Sequence, residues 1–159
     1  MLSLMDDIAF QEIAPAERGA MLESITALWE ESVRASHHFL MENDIARLKP
    51  SVERTVVSVE TLVVGSADRP VGFMGIEARK LEMLFLHPNF FRRGIGMAFV
   101  RYAFERHGVN AVDCNEQNTG ALVFYERMGF RTIGRTSVDS EGNPFPILAM
   151  RLPEESAKF

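Results

Sequence analysis

The sequence predicts an α/β fold in which a mixed, mostly antiparallel sheet of six or seven strands is flanked by about four helices. Three observations support this class. An apolar run at 81–86 precedes a glycine turn and an apolar pattern at helical spacing that ends near Arg106. A longer helical pattern spans 16–36. Two pairs of short apolar runs, within 61–77 and 130–152, are each divided by turn residues, as in hairpins.

Each element has a local reason in the chain. The first strand ends where Pro15 removes a backbone donor, and the two later helices are closed by Gly108 and Gly129. Pro50 is expected to end the second helix there or somewhat beyond. The predicted strands are 8–13, 61–66, 71–77, 81–86, 111–115, 130–138 and 145–152. The predicted helices are 16–36, Glu42 to about Pro50, about Gly94 to Arg106, and 119–128.

Composition favours one globular domain. The chain has 159 residues, 47% of them hydrophobic and 25% charged, so 1–159 are expected to form a single domain with a loose tail at 153–159. A net charge of −5 argues against a protein that coats nucleic acid. The single cysteine, Cys114, provides neither a disulfide framework nor a metal cluster. The acidic N-terminus and the lack of a long apolar run predict a cytoplasmic protein without a membrane partner.

The glycine turn after the central strand suits a phosphate. Residues 92–96, RRGIG, lead into a helix whose first backbone N–H groups have no partners and carry partial positive charge. The glycines allow close approach of a ligand, and the two arginines add positive charge. A Walker loop would need Lys and then Ser or Thr after Gly96, where Met97 and Ala98 stand. A dinucleotide fingerprint would need a small residue in place of Phe99.

Two segments together resemble the GCN5-related N-acetyltransferase (GNAT) family. Residues 91–96, FRRGIG, are similar to the family's acetyl-CoA loop, except that Phe91 stands where the family has Gln or Arg. A second segment is similar to the family's motif beside the CoA thiol. Its matching positions are Asn118, Ala121, Tyr125, Gly129 and Phe130. Within the family, the chain resembles a small bacterial subgroup of acetyltransferases, many of which have no established substrate.

The resemblance implies that acetyl-CoA is the co-substrate and that no metal takes part. The pyrophosphate is expected at the helix that begins near Gly94. The pantetheine is expected where the family splays two parallel strands, here 81–86 and 111–115. The implied cofactor contacts are Leu84, Phe85, Leu86, Arg92, Arg93, Gly94, Ile95, Gly96, Met97, Asn118, Ala121 and Tyr125.

Tyr125 lies on the apolar face of its helix, together with Ala121, Phe124 and Met128. From the residues alone, a core tyrosine whose hydroxyl needs a partner is the simpler interpretation. The resemblance instead implies a catalytic acid. A tyrosine with a pKa of about 10 can donate a proton to a thiolate with a pKa of about 8.5 at little cost in a dry site. The acceptor amine must be neutral to attack, so direct transfer also needs a base.

Glu82 is the first candidate for that base, because some family members carry a carboxylate at the start of this strand. The alternative is an exposed carboxylate at a strand end. His37 and His38 are further candidates, since a histidine with a pKa near 6.5 accepts a proton at neutral pH. The corner that contains them resembles the acceptor border of the bacterial subgroup. The implied substrate contacts are Trp29, Ser32, His37 and Phe39.

These features predict direct transfer of an acetyl group to a primary amine. A small-molecule amine is slightly favoured as the acceptor, and a protein N-terminus or lysine is the alternative. A third hypothesis is a non-catalytic acyl-CoA-binding module, which would bind CoA without turnover. A closed pocket near Trp29 and His37 would favour the small molecule, whereas an open groove would favour a peptide. Dimers are common in the family, so a homodimer is an expected assembly.

Overall fold

The structure, a computed structural model, describes residues 7–154 and contains one seven-stranded sheet. The strands are β1 (Ala9–Glu12), β2 (Thr61–Ser66), β3 (Pro70–Glu77), β4 (Lys80–Leu86), β5 (Ala111–Asn115), β6 (Arg131–Thr136) and β7 (Ile147–Arg151). The helices are α1 (Arg18–Ser36), α2 (Glu42–Ser58), α3 (Ile95–His107) and α4 (Thr119–Arg127). The strand order is β1-β2-β3-β4-β5-β7-β6, and every pairing except β4 with β5 is antiparallel. The predicted fold class is confirmed.

The predicted elements are confirmed, with the largest difference in α2. This helix continues past Pro50 to Ser58. Its buried positions Ile45 and Val56 lie on the same face on either side of the proline, so burial of that face outweighs the missing backbone donor. The predicted tail at 153–159 lies mostly outside the described residues.

Alternating side chains give the sheet two buried faces. On one face, α1 and α2 pack over β2 to β4, where Trp29, Val56 and Phe73 are buried. On the other face, Phe99 of α3 lies at the centre of a second core that also receives α4. Residues 71–76 of β3 are all buried, because helices cover both sides of this strand. Among the described helices, none is long and apolar enough to cross a membrane.

The two central strands run parallel and separate soon after they begin. Lys80 of β4 pairs with Ala111 of β5, and Leu81 pairs with Val112. The register between the strands ends there, although both continue beyond these positions. The splay that the family resemblance implies is therefore present.

A β-bulge lies where this separation begins. On the other edge of β4, Met83 pairs with Gly75 of β3 and Leu81 pairs with Ile76. Two residues of β3 thus face three of β4, which leaves Glu82 as the extra residue. A bulge bends the strand and strengthens its twist, so it turns the end of β4 away from β5.

Arg18 fixes the two helices of the first face to each other. It is only 2% exposed. Its guanidinium donates hydrogen bonds to the backbone oxygens of Ile13, Val56, Val57, Val59 and Glu60. These oxygens include those of the last turn of α2, which have no partner within the helix and carry partial negative charge. The start of α1 and the end of α2 are thereby held together, at the end of the helix pair that is opposite to the corner between them.

Candidate active site

At the start of α3, three backbone N–H groups have no acceptor within the described part of the chain. The first helical hydrogen bond runs from the Ala98 N–H to the Gly94 oxygen at 3.1 Å, so the N–H groups of Ile95, Gly96 and Met97 precede it. Gly94 caps the helix with a φ of 80°, a left-handed conformation that glycine adopts without strain. The helix dipole adds partial positive charge, so these amides form a site that suits a phosphate.

Three arginines flank this turn. Arg92 and Arg93 lie within it, and the guanidinium of Arg93 is 5.7 Å from the ring centroid of Phe90. Arg69 approaches the same ring at 5.6 Å. Arg69 belongs to the β2–β3 hairpin, which reaches the turn because β3 pairs with β4 as far as Leu86. No local pattern predicts Arg69 as part of this region, since only that strand pairing brings it there.

The two predicted cofactor segments meet at Gly96. A Cβ atom at this position would lie 3.3 Å from Cζ of Phe124, which belongs to α4. A side chain here would therefore push Phe124 or the start of α3 out of position. The glycine allows α3 and α4 to lie side by side, in addition to allowing a ligand to approach the backbone.

Tyr125 points into the core between α4 and the sheet. It is 8% exposed, and its ring packs against Phe124 and Phe130 at centroid distances of 5.2 and 5.8 Å. Burial, and to a smaller extent the neighbouring Cys114, raises the pKa of the Tyr125 hydroxyl above its usual value. The hydroxyl therefore keeps its proton at physiological pH and can act as a proton donor.

The free edge of β4 borders the gap between the central strands. β3 pairs along one edge of β4, whereas the pairing with β5 on the other edge ends at Leu81. The backbone edge of 83–86 that faces β5 is thus unused by any described strand. Leu84 and Leu86 pack on the α3 side of the sheet, and Phe85 packs on the α1 side. The three predicted contacts on β4 therefore line the gap.

Glu82 lies in a small charged cluster at the start of the gap. Its carboxylate is 3.9 Å from the Lys80 ammonium, which also pairs with Asp113 on β5 at 2.5 Å. Glu82 is an exposed residue of β4. Partial desolvation of its carboxyl raises the pKa, and Asp113 adds to this effect while Lys80 opposes it. A carboxylate with a raised pKa is a stronger base. Among residues 7–154, no group of three His, Cys, Asp or Glu side chains is arranged to hold a metal ion.

The four predicted acceptor contacts lie at two depths. Trp29 and Ser32 are 2% and 3% exposed and lie within the core beneath α1. His37 and Phe39 belong to the corner between α1 and α2 and are half-buried. Nε2 of His37 is 3.4 Å from Nδ2 of Asn118 at the start of α4. The corner therefore contacts the second cofactor segment through His37.

The loop between β6 and β7 closes this corner from the other side. The ring of Phe145 packs against Phe39 at a centroid distance of 5.7 Å. An ion pair of 3.0 Å connects Arg54 on α2 with Glu141 in the loop. Asp139 orders the loop by accepting hydrogen bonds from its backbone, including the Glu141 N–H at 3.0 Å. Aromatic side chains of the corner and of this loop therefore border the predicted acceptor side of the gap at this end.

His37 is uncharged at physiological pH. Burial, with a smaller contribution from His38, lowers the pKa of the His37 ring to about 4. The rings of Phe39 and Phe85 lie 5.5 and 6.2 Å away and provide much of its apolar surroundings. A histidine with this pKa is a weaker base at pH 7 than an ordinary one. His37 therefore interacts with its neighbours in the site through hydrogen bonds and not through a positive charge.

Protonation of His37 is expected to destabilise the protein as the pH falls. The ring has a pKa of about 4 in the folded protein and 6.5 ordinarily, so between these values the unfolded chain binds more protons. The stability that depends on the neutral ring is therefore present above pH 6.5 and is lost as the pH falls towards 4. From pH 7.5 to pH 5, we expect the free energy of unfolding in urea to fall by about 2 kcal/mol through this group.

The variant His37→Gln provides the control for this experiment. It keeps the carboxylates that also titrate, such as Glu12 and Glu30, whose pKa values are lowered by their hydrogen-bond partners. The difference in pH dependence between wild type and variant therefore isolates the histidine. Equal pH dependence in the two proteins would contradict the expected effect of burial.

Comparison with known proteins gives the family. A family model described as an acetyltransferase (GNAT) domain matches residues 57–132. The peptidyl-lysine N-acetyltransferase YjaB of Salmonella typhimurium is 36% identical over 132 residues, which make up 82% of this chain and 91% of that protein. The peptidyl-lysine N-acetyltransferase YiaC of Escherichia coli is 31% identical over 114 residues, or 70% of this chain and 78% of that protein.

Solved structures agree with this match. The solution structure of the apo form of YjaB from Escherichia coli superposes with a TM-score of 0.78 at 30% identity, covering 91% of this chain and 96% of that one. The PaiA N-acetyltransferase of Thermoplasma acidophilum, solved in complex with coenzyme A, has the same fold, with a TM-score of 0.58, 17% identity and coverage of 91% and 98%. The predicted relationship to bacterial acetyltransferases is confirmed, and the chain belongs to the GNAT family of acetyltransferase enzymes.

Proposed function

We propose that the protein transfers the acetyl group of acetyl-CoA directly to a primary amine, and that a lysine side chain of a peptide or protein is the acceptor. The main support for acetyl transfer is the contact between the two predicted cofactor segments. The unpaired amides at Ile95 to Met97 and the buried Tyr125 stand on helices that touch at Gly96 and Phe124. A ligand held by its phosphates at α3 can therefore extend along β4 towards Tyr125.

Acceptor identity is supported by the relatives. The sequence slightly favours a small-molecule amine, but YjaB and YiaC are both named for acetylation of peptidyl lysine.

Residues at the start of α3 and along the gap fit acetyl-CoA. The amides of Ile95, Gly96 and Met97 hold the pyrophosphate, and Arg92 and Arg93 add positive charge beside it. The remaining contacts with the pantetheine and thioester come from Leu84, Phe85, Leu86, Asn118, Ala121 and Tyr125. Acetyl-CoA supplies an acetyl group on a thiol leaving group, and the protein supplies its orientation and the proton transfers.

Replacing Gly94 by alanine is expected to weaken binding of acetyl-CoA about tenfold, because a side chain at a φ of 80° costs about 1–2 kcal/mol and shifts the cap of α3. Isothermal titration calorimetry with CoA measures this directly. Gly108→Ala is the matched control, since Gly108 has a φ of 58° at the opposite end of the same helix. Equal loss of affinity in both variants would contradict a phosphate site at the start of α3.

Tyr125 acts as the acid that protonates the departing thiolate. The hydroxyl is protonated at neutral pH, and although its raised pKa makes it a weaker acid, its burial excludes the water that would compete for its hydrogen bond to the thiolate. Cys114 is buried, and its pKa is raised to about 11, so its thiol stays protonated and does not act as a nucleophile. The protonated thiol of Cys114 supports direct transfer of the acetyl group to the amine, without an acetylated cysteine as an intermediate.

The variant Tyr125→Phe is expected to lower kcat about 100-fold while leaving the KM for acetyl-CoA nearly unchanged, because it removes a proton donor and little binding surface. Release of the CoA thiol in the presence of acceptor measures the rate. Tyr102→Phe changes the only other tyrosine, whose hydroxyl donates a hydrogen bond to Glu12 of β1, and it should retain activity. Full activity of Tyr125→Phe would exclude the acid role.

Glu82 is the base that removes a proton from the acceptor. The variant Glu82→Gln should lower kcat/KM about 100-fold at pH 7, with a smaller loss at high pH, where the amine is already neutral. Glu77→Gln is the control, because Glu77 lies near the same cluster and accepts a hydrogen bond from the Glu60 N–H that glutamine can still accept. A pH profile of Glu82→Gln that matches wild type would show that another group accepts the proton.

The acceptor class can be tested with a panel of amines and thiol release as the readout. Peptides with a blocked N-terminus and one internal lysine should be acetylated on that lysine, as detected by mass spectrometry, and the same peptides with arginine should be inert. Turnover of polyamines, amino acids or aminoglycosides without turnover of peptides would favour a small-molecule enzyme. Binding of CoA without any acetyl transfer would favour a non-catalytic module.

A further inference from the structure

A chain of hydrogen bonds connects the end of α1 with the start of α4. The Ser36 hydroxyl donates to the Ser32 carbonyl oxygen at 2.8 Å, and the same hydroxyl oxygen lies 2.8 Å from Nδ1 of His37. Nε2 of His37 lies 3.4 Å from Nδ2 of Asn118. Oδ1 of Asn118 in turn accepts from the Ala121 N–H at 3.2 Å. This chain joins the acceptor corner to the segment that borders the CoA thiol.

The partners determine which nitrogen of His37 carries the proton. A hydroxyl has one proton, and that of Ser36 is donated to Ser32, so the Ser36 oxygen can only accept from Nδ1 of His37. Nδ1 therefore carries the hydrogen. Since the ring is neutral at physiological pH, Nε2 has a free lone pair that accepts from the Asn118 amide.

The same chain determines the orientation of the Asn118 amide. Its oxygen caps α4 by accepting from Ala121, so its NH₂ group must point away from the helix and towards His37. A flipped amide would place NH₂ against the Ala121 N–H and the oxygen against a bare ring nitrogen, losing both hydrogen bonds. Each donor and each acceptor along this chain of hydrogen bonds is therefore determined by its neighbours.

We propose that His37 is a positioning residue for acetyl transfer, whose unprotonated Nε2 orients Asn118 and thereby sets the first turn of α4, the helix that carries Ala121 and Tyr125. The inference rests on the proposed function of this site. Phe39 and Phe85 hold the ring in place from two sides. The α1–α2 corner thus controls the alignment of the cofactor side of the gap as well as bordering the acceptor side.

The tautomer can be read without any substrate. In protein labelled with ¹⁵N-histidine, long-range ¹H–¹⁵N correlation spectra between pH 6 and pH 8 should show a protonated Nδ1 and a bare Nε2 for His37. In Asn118→Asp, which still caps α4, the new carboxylate should raise the pH at which His37 is protonated by about one unit or more. A protonated Nε2 in the wild type, or an unchanged titration in Asn118→Asp, would overturn the proposal.

Three substitutions at His37 separate positioning from packing. His37→Gln places an acceptor where Nε2 lies, His37→Asn keeps only a donor near Nδ1, and His37→Phe keeps only the ring. Affinity for CoA, measured by calorimetry, should stay within about twofold of wild type in His37→Gln. It should fall about fivefold in His37→Asn and His37→Phe, which corresponds to the loss of one neutral hydrogen bond. Circular dichroism melts check that all three fold.

Two outcomes of this series would contradict the proposal. If His37→Phe binds CoA as well as the wild type does, packing alone explains the residue. If His37→Gln binds CoA as weakly as His37→Asn does, the acceptor at Nε2 has no role. Failure of the proposed function has a different signature, because wild-type protein would then bind no CoA while the tautomer of His37 would still be measurable.

Discussion

The early end of the pairing between β4 and β5 is the constraint on which the rest of the structure depends. The two strands share the positions of Lys80 and Leu81 and then separate at the bulge of Glu82. Separation leaves a half-buried backbone edge of β4 without a strand partner, so its N–H and C=O groups are available to other hydrogen-bonding groups. A ligand that carries amides along its length, as pantetheine does, can pair with this edge. The gap is therefore where we propose that the cofactor binds.

Two helices on one face of the sheet give the two ends of this gap different chemical groups. α3 offers unpaired amides at one end, and α4 buries Tyr125 at the other. Contact between the two helices at Gly96 and Phe124 fixes the separation of these groups. On the opposite face, the α1–α2 corner brings His37 against Asn118, and Arg18 holds the helices of that corner together. In the proposed reaction, cofactor and acceptor therefore approach from different faces of one sheet.

Local patterns were sufficient for the strands, the hairpins and the start of α3, because alternation, glycine turns and helical spacing act over a few residues. The bulge at Glu82 depends on the register between two strands, and the approach of Arg69 depends on a hairpin distant in sequence. Burial of Trp29 and the contact of His37 with Asn118 depend on how the helices pack. Such features arise from tertiary structure, and no single segment encodes them.

We propose that binding of the pyrophosphate by the amides of α3 places the cofactor's sulfur beside Tyr125. A crystal structure of the protein with CoA tests it most directly. We expect pyrophosphate oxygens within hydrogen-bonding distance of the Ile95, Gly96 and Met97 N–H groups, and the sulfur about 3–4 Å from the Tyr125 hydroxyl. Phosphates bound away from α3, or a sulfur remote from Tyr125 in a fully ordered complex, would contradict the account.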